Sequence, residues 1–284
     1  MFCILTGATS GLGASFLKIL IDKSNYDFII LGRDNVRLME IKSNLESIGR
    51  KCIICSVDFS DANFNTVISN LFNDLDRNIE IDLLINCAAT IDSTSFENLR
   101  SERLLALINC NIASLTFLTL LSIPFLKKQP SRILNISSVS GFYGIPNYAL
   151  YSAAKAFLIS FSEALSIELS QKSIKVSVFC PGAFGDKALP EYESNFKKIK
   201  RLFVSMPSVI KKLLVNPASI AWYISNIRLS KPMNVNNVAE IALNFSAYGK
   251  SPIMIYDFRN KFVTYILVII GPRLRSFLLK KRFY

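Results

Sequence analysis

Histidine is absent from all 284 residues. Without an imidazole the chain can form neither a Ser-His-Asp triad nor a histidine-ligated metal site, so two large classes of hydrolytic chemistry are excluded at the outset. Cysteine offers no substitute. The six thiols (Cys3, Cys52, Cys55, Cys87, Cys110 and Cys180) include a single Cys-x-x-Cys. It lies in an apolar strand-like run, where residues three apart point to opposite faces, and no second pair completes a zinc site. Their apolar surroundings predict reduced core thiols in a cytoplasmic protein. Carboxylates are scarce in one region only: residues 195–284 hold 16 Lys+Arg against 2 Asp+Glu, a net of +14, whereas residues 1–194 hold 17 against 19, a net of −2. Nucleic acid is not the expected partner of this basic excess, because it is interleaved with apolar residues and no recognition motif accompanies it. Internal repeats and low-complexity linkers are also missing. No charged leader followed by an apolar stretch and a cleavage site opens the sequence, so export is not expected.

What is present begins with an alternation of elements. Apolar runs at 2–6, 27–31, 52–57, 82–86, 132–137 and 174–180 read as strands. Between them, residues 12–23, 34–48, 61–75, 99–127 and 149–170 read as helices. Such alternation predicts an α/β fold, a Rossmann-like doubly wound parallel sheet covered on both faces. A chain of this length can bury one full core, so a single domain is expected. Within that single domain, residues 1–190 are expected to form the core and 191–284 a helical, basic and apolar C-terminal extension. Leu104 to Leu126 is uncharged and long enough to cross a bilayer. Its Asn109 and Asn111 argue for a buried core helix instead.

Three constellations carry chemistry. In MFCILTGATSGLG a four-residue apolar strand runs into Thr6-Gly7, Gly11 and Gly13 and then into a helix starting near Leu12. Glycines there allow a tight turn and close backbone approach to a pyrophosphate, which would rest on the free N–H groups of the helix start. Further on, Tyr151 and Lys155 in NYALYSAAKAF share one helix face, a spacing that lets the ammonium stabilise a phenolate and lower the tyrosine pKa from about 10. Thirteen residues upstream, Ser138 ends the strand of ILNISSVSG, where an open α/β sheet places its reactive groups. The plainer reading is that Ser137 and Ser138 begin a turn.

Together these residues make the chain resemble the short-chain dehydrogenase/reductase family. The match comprises the glycine pattern TGATSGLG, Asn111 in its helix, Ser138, the Tyr151/Lys155 pair, and Pro181-Gly182 after the next strand, all in register. The resemblance implies an NAD(P)-dependent enzyme interconverting carbonyl and alcohol, with residues 1–190 as dinucleotide-binding and catalytic core and 191–284 as substrate lid and extension; the alternatives are an NAD(P)-binding regulator or redox sensor, or a membrane-peripheral scaffold, that keeps the fold. In that scheme Tyr151 donates the proton and Ser138 hydrogen-bonds the carbonyl oxygen. Lys155 holds the ribose and depresses the tyrosine pKa, and Asn111 anchors a water leading to Lys155. It places Thr6, Gly7, Thr9, Ser10, Gly11, Leu12, Gly13, Asp58, Asn86, Ala88, Pro181 and Gly182 around the dinucleotide. Two departures stand out. Asn86-Cys87-Ala88-Ala89 replaces the usual final glycine, and Ala183-Phe184-Gly185-Asp186 stands where many members place a threonine against the nicotinamide.

At the end of the second strand, Gly32-Arg33 offers a cation where an NAD-selecting enzyme carries a carboxylate. NADPH is therefore the expected cofactor, with NAD possible. The alternative is that Arg33 pairs with the adjacent Asp34 on the surface. The helices around Asn111 and Tyr151 are apolar nearly all round, which predicts subunit contacts and a homo-oligomer. The segments FKKIKRLFVSMPSVIKKLL (196–214) and FVTYILVIIGPRLRSFLLKKRFY (262–284) suit the surface of an anionic membrane; the alternative is that their apolar parts close the core or an oligomer face and their charges are solvated. In the family scheme 196–214 also suits an apolar carbonyl substrate pocket or the docking of an anionic carrier.

Overall fold

The computed structural model describes residues 1–126, 130–182 and 234–256. Its first strand, β1 (Phe2–Thr6), is buried along nearly its whole length. Cys3 and Leu5 face one layer of helices and Ile4 the other, which is why FCILT is continuously apolar rather than alternating. The same holds for β2 (Asp27–Gly32), β4 (Ile81–Asn86), β5 (Ser131–Ile136) and β6 (Ile174–Cys180). With β3 (Cys52–Ser56) and β7 (Ile253–Ile255) they form one sheet in the order β3-β2-β1-β4-β5-β6-β7. Every pair is parallel. The sheet is thus the expected doubly wound one, with a strand more than the six read from the sequence.

Helices cover both faces. On one side lie α1 (Gly11–Lys23), α2 (Asn35–Ser47) and α7 (Val235–Tyr248), contributing Phe16, Leu38 and Val238 to the core. On the other lie α3 (Phe64–Asp74), α4 (Ser101–Ile108), α5 (Ser114–Ser122) and α6 (Ala149–Glu168), contributing Ile68, Leu118 and Leu165. Residues 235–255, which the sequence reading grouped with the C-terminal extension, supply α7 and β7. The helix packs along α1, where Lys23 pairs with Glu240.

The expected continuous helix 99–127 is broken twice. Between α4 and α5 the residues Asn109–Ala113 form a π turn, in which the Ser114 N–H reaches back to the Asn109 carbonyl. The cause is local: the Asn111 side-chain Nδ2 donates to Leu107 O at 3.0 Å, taking the carbonyl that an α-helical N–H would use. At the far end Pro124 has no N–H to continue the ladder, and the chain closes in a 3-10 turn over Ile123–Phe125.

A buried polar line ties the centre of the sheet to this layer. Asn86 and Asn135 are register partners on β4 and β5. Asn86 Nδ2 donates to Asn135 Oδ1 (2.8 Å) and to Thr119 Oγ1 (3.0 Å), and Asn135 Nδ2 donates to Ser162 Oγ (2.8 Å). These bonds fix α5 and α6 relative to β4 and β5, although the buried Asn86 Oδ1 itself has no partner among the described residues.

Candidate active site

The strand order changes direction between β1 and β4, and the crevice outside the strand ends at that point is where an open α/β sheet receives a ligand. A cavity of about 380 Å³ opens there. Gly7, Thr9, Ser10, Gly11, Leu12 and Gly13 line one end, Arg33 and Asp58 the rim, Ala88 the floor, and Ser138, Tyr151, Lys155, Pro181 and Gly182 the other end. Sequence positions more than 170 residues apart therefore meet in one cleft.

The glycine turn is built for close approach. Gly7 has φ +74°, a left-handed conformation that side chains rarely adopt. A Cβ on Gly13 would stand 2.0 Å from the Gly7 carbonyl oxygen, so the helix start can lie against the turn only without a side chain. Ser10, the N-cap of α1, makes no side-chain capping bond. The first N–H groups of α1 and its positive dipole end thus face the cleft and suit a pyrophosphate. The cradle and the donor set both fit a dinucleotide.

Arg33 follows β2 and is exposed at the rim, with neither a hydrogen bond nor an ion pair among the described residues. The surface pair with Asp34 does not form. Asp34 instead caps α2, accepting the Arg37 backbone N–H at 3.1 Å, and its carboxylate pairs with Arg37 Nε at 3.4 Å.

At the reactive end, β5 delivers Ser138 and α6 delivers Tyr151 and Lys155. The Ser138 hydroxyl lies in the same cleft end as the Tyr151 phenol, near enough to influence its titration, and its oxygen accepts the Ser140 N–H at 3.2 Å. It does begin a turn, the 3-10 segment Val139–Phe142, as the plainer reading held, and it lines the cleft as well. Lys155 is 4% exposed and donates from Nζ to the Ile136 carbonyl at 2.9 Å. Its Nζ stands 5.6 Å from the centre of the Tyr151 ring. Gly141 permits this packing, since a Cβ there would meet the Lys155 carbonyl at 2.7 Å.

The electrostatics correct one expectation. Burial pushes the Tyr151 phenol above its ordinary value, with the Ser138 hydrogen bond acting in the opposite direction, so the protein alone does not lower it. Burial pulls Lys155 down to about 8, because its ammonium is held in the cleft wall and no carboxylate among the described residues pairs with it.

Three of the expected residues do not line the cleft. Thr6 lies behind it, its Oγ1 accepting the Cys87 and Ala88 N–H groups at 2.9 Å and so setting the loop after β4. Asn86 is spent on the buried amide line described above. Asn111 is 1% exposed; its side chain holds both the N–H and the carbonyl of Thr90, at 3.1 and 2.9 Å. That amide is a clamp on the loop bordering the cleft, with no side-chain donor left for a water. Conversely, Phe59, Ser60, Cys87, Thr90 and Cys110 line the cleft without having been singled out for it. Only their adjacency to Asp58, Ala88 and Asn111 signalled them. Ala183-Phe184-Gly185-Asp186 and the segments 196–214 and 262–284 lie outside the described residues.

Comparison with known proteins agrees with this architecture. Residues 2–195 match the family described as short chain dehydrogenase. An uncharacterised oxidoreductase of Bacillus subtilis is 31% identical over 193 residues, covering 66% of this chain and 65% of that protein, just under two thirds of its length. The 3-oxoacyl-[acyl-carrier-protein] reductase of Chlamydia trachomatis is 29% identical over 195 residues, 68% of this chain and 78% of that one. Among solved structures, a short-chain dehydrogenase from Sphingobium yanoikuyae in complex with NADPH shares the fold with a TM-score of 0.67 at 23% identity, covering 90% of this chain and 88% of that one. Another from Burkholderia phymatum, in complex with NAD, has a TM-score of 0.67 at 15% identity, covering 94% and 92%. A match over most of the chain, on a sheet of this order with the glycine turn at its switch point, leaves one assignment: the chain belongs to the short chain dehydrogenase family.

Proposed function

We propose that the protein is an NADPH-dependent reductase of a hydrophobic carbonyl, such as a 3-oxoacyl thioester or a long-chain ketone or aldehyde. The observation that carries this reading is the meeting of Ser138, Tyr151 and Lys155 at one end of a cleft whose other end is the glycine turn. A bound nicotinamide dinucleotide supplies the hydride. The chain's own part is to hold the carbonyl and manage its charge. Ser138 and Tyr151 both point hydroxyls at the place where the carbonyl oxygen becomes negative, and Tyr151 gives up its proton there. Lys155 holds the ribose through donors that the Ile136 carbonyl leaves free, and its charge stabilises the phenolate that remains. The high phenol pKa of the protein alone favours the protonated tyrosine, the form a reduction requires.

The preference for the phosphorylated cofactor rests on Arg33, an exposed forked cation that lines the cleft with no competing partner among the described residues. The Chlamydia relative is by name a reductase of 3-oxoacyl thioesters, which accords with a thioester substrate. The apolar exposed residues Leu105, Leu120, Phe157 and Ile167 on α4, α5 and α6 fit a homo-oligomer. Residues Ser101–Phe125 are long and apolar enough to cross a membrane by composition, yet they carry Asn111 and pack on α3 and β4. The basic, apolar residues 196–214 and 262–284 support peripheral contact of a cytoplasmic protein with an anionic membrane. Flotation with anionic vesicles at low salt, lost on truncation after Asp257, checks that contact.

A panel of carbonyl compounds followed by NADPH absorbance, with lipid present, tests the activity. Oxidation of NADPH with an apolar ketone, aldehyde or thioester is expected. Oxidation with none of them, by protein that binds NADPH, would contradict the reading.

A further inference from the structure

A carboxylate stands directly beside the cation assigned to the cofactor phosphate. Asp34 is the next residue after Arg33, beside the cleft lining though not part of it, and an uncommitted aspartate there would repel a 2′-phosphate and accept hydrogen bonds from a 2′-hydroxyl, opposing the preference Arg33 confers. The structure removes that conflict through one residue. Arg37, the third residue of α2, pairs its Nε with the Asp34 carboxylate at 3.4 Å, and its backbone N–H donates to the other carboxylate oxygen at 3.1 Å. The same guanidinium donates from Nη1 to the Thr9 carbonyl at 3.1 Å. Thr9 belongs to the glycine turn and lines the cleft with Arg33.

We propose that Arg37 is a positioning residue for cofactor choice: it neutralises Asp34 and ties it to the glycine turn, so that Arg33 alone presents charge to the ribose 2′ position. The inference rests on the NADPH reading above. Arg37 touches the carboxylate and the turn, and acts on the phosphate through them. With side chains 57% and 43% exposed, the pair adds little to folding stability, so its loss is expected to leave the fold intact. Its effect on a ligand is different, because the unmasked charge would lie next to the phosphate at the rim, where a single like charge changes affinity by about five- to tenfold.

The test is a double-mutant cycle on the ratio of NADPH to NADH dissociation constants, measured by fluorescence titration on the full chain. Arg37→Met is expected to lower the preference for NADPH about five- to tenfold. Asp34→Asn keeps a good helix N-cap and is expected to change the ratio less than about twofold alone, since its charge is already masked, yet to restore the ratio in the Arg37→Met background. Arg37→Gln should behave as Arg37→Met, which guards against a packing effect of methionine. Additive effects, with Asp34→Asn raising the ratio equally in both backgrounds, would overturn the proposal, as would an unchanged ratio in Arg37→Met. Arg33→Ala distinguishes the two levels: if it leaves the ratio unchanged, the NADPH reading fails and the inference with it; if it lowers the ratio while Arg37→Met does not, only the role of Arg37 fails.

Discussion

Lys155 keeps its ammonium in a wall that is 4% exposed, with the Ile136 carbonyl at 2.9 Å and the Tyr151 ring beneath it. The drop of its pKa from 10.5 to about 8 corresponds to a cost of about 3 kcal/mol for holding the proton in the folded protein. For a cation with a lowered pKa that cost is fully present below pH 8, and it fades as the pH rises toward 10.5. Lys155→Met should therefore raise the melting temperature of the cofactor-free protein at pH 7 while weakening dinucleotide binding, a trade of function for stability that a thermal melt and a binding titration read together. In the native protein, affinity for the dinucleotide should fall as pH rises through about 8, where the empty site loses its charge. Titration calorimetry in buffers of different ionisation enthalpy should show proton uptake on binding at that pH. The meeting of Ser138, Tyr151 and Lys155 in one cleft was legible in the sequence, because spacing puts two of them on one helix face and the third at a strand end. It did not reveal the direction of the tyrosine shift, which depends on burial.

At the scale of elements, the glycine turn and the π turn shape the cleft by different means. Gly13 works by having no side chain: Gly13→Ala would drive a Cβ to 2.0 Å from the Gly7 carbonyl, and both backbones would have to move. Loss of dinucleotide binding by tenfold or more is expected, a rough figure for misplacing close phosphate contacts, with circular dichroism showing the helices retained. The π turn instead depends on one amide. Asn111 holds Leu107 O, Thr90 O and Thr90 N at once, so Asn111→Leu would free three backbone groups and let the loop after β4 move. A stability loss of about 2–3 kcal/mol is expected for breaking such a buried network, along with a raised KM for cofactor. Periodicity predicted one unbroken helix here because apolar spacing reports which residues face the core. It is blind to a side chain that competes with the backbone for a carbonyl.

For the whole molecule, five of the six strands that periodicity found are buried along nearly their whole length, and the sixth, β3, is a half-buried edge strand whose run CIIC is still continuously apolar. The seventh was missed because Ile253–Ile255 is three residues long and only half-buried at the sheet edge. The extension was expected to be helical, but α7 was given no bounds for a related reason: Val238, Ala239 and Ala242 make a small apolar face, easily lost beside the long apolar helices. Those long helices leave Leu120 at 63% and Ile167 at 72% exposure, a surface a monomer would carry at the risk of aggregation. Leu120→Asp combined with Phe157→Asp should convert the proposed oligomer to monomer in light scattering, with the sheet intact by circular dichroism. An unchanged mass would place the subunit contacts elsewhere.

The account as a whole turns on Tyr151 serving as the proton donor in a cleft that binds the dinucleotide without it. Tyr151→Phe, assayed for NADPH affinity and for carbonyl turnover on the same preparation, tests this most directly. Affinity within about twofold of native and turnover reduced about 10²–10⁴-fold, the ordinary worth of a positioned acid, is the predicted result. Turnover retained by the phenylalanine variant would contradict it.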